Sequence, residues 1–127
     1  MSKVYQHRAG RPDKLLGSVE DDGRVYRSDF GPDDRIGRVD LESGEIYASR
    51  VGPDKYLGRV DLETGRVYRH VTAGPDEYLG RVNEDGRMDR HDALSPDDYL
   101  GKITKPKSLA HAGAAFFLLV LPAAIEK

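Results

Sequence analysis

The sequence predicts a mainly β protein: five 21-residue β-hairpin repeats in a closed, pseudo-five-fold array, with one apolar C-terminal helix packed in or against it. Three observations predict this. Residues 3–107 divide without remainder into five blocks of 21 residues, 3–23, 24–44, 45–65, 66–86 and 87–107. Each block carries two short runs rich in β-branched and aromatic residues, separated by turn residues. After residue 107 the composition switches to an almost uncharged apolar stretch. Residues 1–107 form the array and residues 108–127 the helix, within a single domain.

The first run of a block is Val25-Tyr26-Arg27, Ile46-Tyr47-Ala48 or Val67-Tyr68-Arg69. The second is "YLGRVD" or a variant, as at Tyr56 to Asp61 and Tyr78 to Asn83. A Pro-Asp pair joins them; proline sets φ at the turn and aspartate hydrogen-bonds the backbone. The link to the next block, "DLETG", "DLESG" or "EDDG", ends in a glycine suited to the positive φ of a hairpin turn. Three blocks add a residue before Pro-Asp and drop one in the following link, so the period survives. A constrained length per repeat points to a stacked or closed array of about ten antiparallel strands.

A glycine recurs inside every second strand, at Gly17, Gly37, Gly58, Gly80 and Gly101. Mid-strand glycine marks a bulge, a bend or a close approach to bare backbone. The expected neighbour is a cross-strand ring from Tyr5, Tyr26, Tyr47 or Tyr68. The blocks offer few large aliphatic residues, which is thin for an independent core. The tail supplies what is missing. Ser108 reads as its N-cap and Pro122 as a stop or kink. Up to Pro122 the tail spans about 20 Å as a helix, short of a bilayer core of roughly 30 Å. It therefore reads first as an internal plug. A membrane anchor flanked by Lys102, Lys105 and Lys107 is the alternative.

The pattern "LGRVDLETGRVY", two short strands per block, resembles the small bacterial β-flower proteins, in which hairpins surround an axis as petals. Tyr56-Leu57-Gly58 and Tyr78-Leu79-Gly80 are also similar to the opening of MORN-type hairpin repeats. The resemblance covers residues 3–107. It implies a scaffold or interaction role and supplies no catalytic residues.

Composition narrows the function classes. The formal charge is −2, so bulk attraction to nucleic acid is not expected. Cysteine is absent, which removes disulfides, thiolate metal sites and cysteine nucleophiles. The start of the sequence has no apolar signal-like region, and a cytoplasmic location is the expectation. No nucleophile–base, P-loop or dinucleotide motif occurs, and no cofactor is expected.

Three constellations remain. The aspartates Asp13, Asp33, Asp54, Asp76 and Asp97 follow the prolines and read as turn residues rather than calcium ligands. Arg38, Arg59 and Arg81 follow the strand glycines; arranged around an axis they form a speculative anion ring, against cross-strand pairing with acids. His7, His70 and His91 share one position in their blocks, where the other two blocks have Ser28 and Ser49, so a metal ring is incomplete. The functional expectation is a non-enzymatic structural or interaction module with a protein partner. Membrane tethering through residues 109–125 and anion or metal binding on one rim are the alternatives.

Overall fold

A computed structural model describes residues 2–28, 33–92 and 94–125. Ten antiparallel strands close into a barrel: β1 (Ser2–Gln6), β2 (Lys14–Val19), β3 (Arg24–Arg27), β4 (Asp34–Val39), β5 (Glu45–Ala48), β6 (Lys55–Val60), β7 (Arg66–Arg69), β8 (Glu77–Val82), β9 (Arg87–Arg90) and β10 (Asp98–Ile103). Every strand pairs with its sequence neighbours, and β1 pairs with β10. The tight links lie at one end of the barrel and the Pro-Asp loops at the other. Closure copies a link without using one: Thr104 N–H donates to the Lys3 carbonyl at 2.9 Å, and Lys3 N–H to Thr104 Oγ1 at 3.1 Å.

Two layers line the bore. Near the link end, Val19↔Val25, Val39↔Ile46, Val60↔Val67, Val82↔Met88 and Val4↔Ile103 pair across strands, and all ten side chains are buried. The layer above contains the five strand glycines. A register shift beside each one, between the two strands of the hairpin, marks a β-bulge.

The tail runs through this bore as one continuous helical segment. It comprises α1 (Leu109–Ala115), a π-helical turn (Phe116–Val120) and α2 (Leu121–Ile125). Its sequence is complementary to the wall. The small residues Ala110, Ala112, Gly113, Ala114 and Ala115 are all buried in the lower half of the segment. There the Val/Ile layer narrows the bore: a methyl on Gly113 would lie 2.7 Å from each of the two Val60 γ-carbons. The large residues cross the glycine layer, one to each repeat. A methyl on Gly80 would lie 2.9 Å from Phe116 Cζ, one on Gly58 2.8 Å from Phe117 Cε2, and one on Gly37 2.7 Å from Leu118 Cδ1. One on Gly17 would lie 3.1 Å from Leu119 Cδ1, and one on Gly101 3.3 Å from Val120 Cγ1. Five consecutive residues thus address five repeats in order around the ring.

That match explains the π turn. An α-helix advances about 100° per residue, while a five-fold ring spaces its repeats by about 72°. The wider i→i+5 turn brings the residue spacing closer to the spacing of the wall. It also precedes Pro122, which has no N–H to give to the ladder, so the segment continues to Ile125 instead of stopping at the proline.

The tyrosine expectation is corrected by the same geometry. Tyr5, Tyr26, Tyr47 and Tyr68 do face strand glycines, but with their backbone carbonyls. The rings stand on the outer wall, and helix side chains fill the space over the glycines. The anchor reading of residues 109–125 also meets a different arrangement: Ala110 through Phe116, with Leu119 and Val120, is buried by the barrel. Among the described residues no helix is long and apolar enough to cross a membrane.

At the link end, Ser108 occupies the N-cap position but makes no side-chain cap bond. Its Oγ instead lies 2.8 Å from His111 Nδ1, and His111 Nε2 lies 3.0 Å from the Asp21 carbonyl oxygen. A carbonyl only accepts, so Nε2 carries the proton and Nδ1 accepts from Ser108. The buried imidazole ties the start of α1 to the β2–β3 link with both nitrogens satisfied.

Candidate functional site

The outer wall repeats a polar unit at three of the five junctions between blocks. Arg38 Nε lies 2.8 Å from Asp54 Oδ2 and its guanidinium 4.2 Å from the Tyr47 ring centroid. Arg59 lies 3.4 Å from Asp76 and 4.4 Å from the Tyr68 centroid. Lys102 closes the series, 3.8 Å from Asp13 and 5.9 Å from the Tyr5 centroid. Arg81 breaks it, donating from Nε to the Thr64 carbonyl at 3.1 Å. Arg38 and Arg59 thus spend their charge on a carboxylate and a ring within the wall, and Arg81 turns back to the preceding link. Their geometry is that of a cross-strand ladder.

The histidines extend the same unit. His7, His70 and His91 each place Nδ1 3.5 Å from the aspartate of their own block, Asp13, Asp76 and Asp97. Each also packs on a tyrosine of the preceding block, with centroid separations of 4.7 Å to Tyr99, 5.2 Å to Tyr56 and 4.7 Å to Tyr78. Burial holds the Tyr56 and Tyr78 hydroxyls above their ordinary range. The three histidines stand at three different junctions. Among the described residues, no three His, Asp or Glu side chains gather as a metal site.

The two junctions with serine in place of histidine also lack the tyrosine: Leu15 and Arg35 stand in its position. Tyrosine and histidine are therefore present or absent together. This coupling was readable from the repeats once the partner strand was known, because the two residues belong to successive blocks. Asp33, the aspartate of the β3–β4 loop, is exposed.

Between blocks one and two, where the ring pair is missing, there is a groove at the loop end. It holds about 240 Å³ and is lined by Lys14, Leu15, Leu16, Arg27, Ser28 and, from the helix, Leu118, Leu119, Pro122 and Ala123. The junction between blocks five and one has the corresponding groove, but Asp98, Tyr99 and His7 occupy the places of Lys14, Leu15 and Ser28. Sequence reasoning missed this site because its signal is a departure from the repeat, which a consensus reading averages away.

The link-end aspartates have a structural task. Asp61 Oδ1 accepts from Glu63 N–H at 2.8 Å and Thr64 N–H at 3.3 Å. These backbone donors, Glu63 first, hold its carboxyl below the ordinary value of 3.8. A depressed folded value means that the stabilisation is present above the unfolded value and is lost as pH falls through it. Asp61→Asn keeps an acceptor oxygen but not the charge. It is expected to lower the urea midpoint slightly near pH 7 and to lessen the drop on going to pH 3. A drop equal to that of wild type would show that Asp61 does not contribute to acid sensitivity.

No protein-family model, curated protein or solved structure matches this chain.

Proposed function

We propose that the protein is a non-enzymatic interaction module that presents its loop end to a protein partner. The observation that carries this reading is the placement of exposed apolar side chains. Among the described residues, Val51 is 103% and Leu94 97% exposed, both on Pro-Asp loops, and Leu15 and Val71 are exposed at the same end. Among the described residues, only Leu41 of the large exposed apolar side chains belongs to the link end. The tips are held in place. Arg50 Nε donates to the Pro53 carbonyl at 2.8 Å beneath Val51. Asp92 accepts from Leu94 N–H at 2.9 Å and from Ser95 Oγ at 2.6 Å. Fixed apolar groups on loops carried by a rigid barrel are the usual form of a contact surface. The Arg–Asp and Lys–Asp pairs along the wall support a scaffold role, since their charges face one another.

The test is photocrosslinking in cells from residue 51, 94 or 41. The proposal expects a discrete adduct from 51 and 94 and none from 41; a further probe at 71 should give the same adduct, lost in the Val51→Ser/Leu94→Ser background. Equal labelling from all positions, or adducts from 41 alone, contradicts it.

A further inference from the structure

We infer that the groove between the first two repeats is a binding site for an aliphatic monocarboxylate of short to medium chain length. Three features of this junction point the same way. The floor is apolar, with Leu16 and Leu119 buried and Leu118 and Ala123 half-buried beside them. Leu15 stands where three other blocks place a tyrosine, and Ser28 where three place a histidine, so this groove is lined by an aliphatic side chain and a hydroxyl where the five–one groove is lined by the Tyr99 and His7 rings. The rim carries two cations, Lys14 and Arg27.

The charge at this rim distinguishes it from the other junctions. The residues in the positions of Lys14 and Arg27 are Asp34 and Ala48, Lys55 and Arg69, Glu77 and Arg90, and Asp98 and Gln6. The one other doubly cationic pair is engaged, since Arg69 forms a short ion pair with Glu77. At the groove, Lys14 has no ion pair among the described residues. Among the described residues, the ion pair of Arg27 is with Asp34, at 4.0 Å. Two cations above an apolar floor select a ligand with one anionic end and a hydrocarbon body. The Ser28 hydroxyl adds a donor at the same rim. The volume, about 240 Å³, falls below the usual range for drug-sized ligands, which favours a short chain. The inference goes beyond the protein contact proposed above and uses none of its exposed tips.

The experiment is a ¹H–¹⁵N NMR titration of the full chain with four probes: octanoate, octanol, acetate and octylammonium. Octanoate is expected to bind saturably, with shifts confined to Lys14–Leu16, Ser28 and Leu118–Ala123. Octanol and acetate are expected to bind at least tenfold more weakly, and octylammonium not at all. Lys14→Glu/Arg27→Glu should weaken octanoate at least tenfold. Leu15→Tyr/Ser28→His gives this groove the ring lining of the five–one junction in place of its aliphatic wall and hydroxyl, and should weaken octanoate at least tenfold while the barrel stays folded. Val51→Ser/Leu94→Ser should leave octanoate binding unchanged, which separates this site from the loop-tip contact. Octanol matching octanoate, shifts centred elsewhere, or no saturable binding by wild type overturns the inference.

Discussion

Removing residues 109–127 is expected to abolish the cooperative unfolding transition of the protein. A barrel of about eight strands can fill its bore with its own side chains. This one has ten strands, and half of its upper inner layer is glycine. The wall alone therefore encloses a space that only the tail occupies. Phe116, Leu119 and Val120, with four alanines of α1, are among the buried residues of the core. Phe116 alone, wholly buried, is worth about 3–5 kcal/mol on truncation to alanine. Losing the whole segment exceeds the total stability of an ordinary small domain, about 5–15 kcal/mol. Urea denaturation followed by far-UV circular dichroism measures the effect. A truncated chain with a sigmoidal transition near that of the full chain would mean that the tail is an appendage.

Gly113→Ala is expected to destabilise by up to about 2 kcal/mol, against its intrinsic tendency. In a helix, glycine to alanine gains about 1 kcal/mol from propensity. At this position the added methyl meets the Val60 side chain at its β-carbon and both γ-carbons. Overpacking a rigid core costs about 1–3 kcal/mol and sometimes more. The sign therefore separates a packed segment from a free one. Because the β-carbon itself is struck, Val60→Ala should restore little, whereas Val60→Gly should restore more despite the cost of another strand glycine. Urea midpoints of the single and double variants decide this. A stabilised Gly113→Ala protein would contradict the packing described here.

The repeat period, the strands, the bulged glycines and the helix could be read from the sequence because each rests on a local rule. Gly58 looks special against β-propensity alone, and Leu109 to Ile125 looks helical and apolar alone. What occupies a glycine's open face is a tertiary fact, and it went to Phe117 rather than to a tyrosine ring. Pro122 is another case: as a local signal it ends a helix, but the π turn forced by five-fold packing absorbs it. Arg38, Arg59 and Arg81 looked equivalent in sequence, yet Arg81 finds a carbonyl where the others find carboxylates. The groove at Lys14 and Arg27 was hardest to see, because its distinctive lining comes from departures from the repeat in two neighbouring blocks.

The central claim is that five consecutive helix residues fill five glycine positions around a closed barrel. Nuclear Overhauser contacts between side-chain protons of residues 116–120 and glycine α-protons test it most directly. The account predicts contacts from Phe116 to Gly80, Phe117 to Gly58, Leu118 to Gly37, Leu119 to Gly17 and Val120 to Gly101, in that order. A helix segment showing none of these contacts, with its amides exchanging in seconds while the strands remain protected, would contradict it.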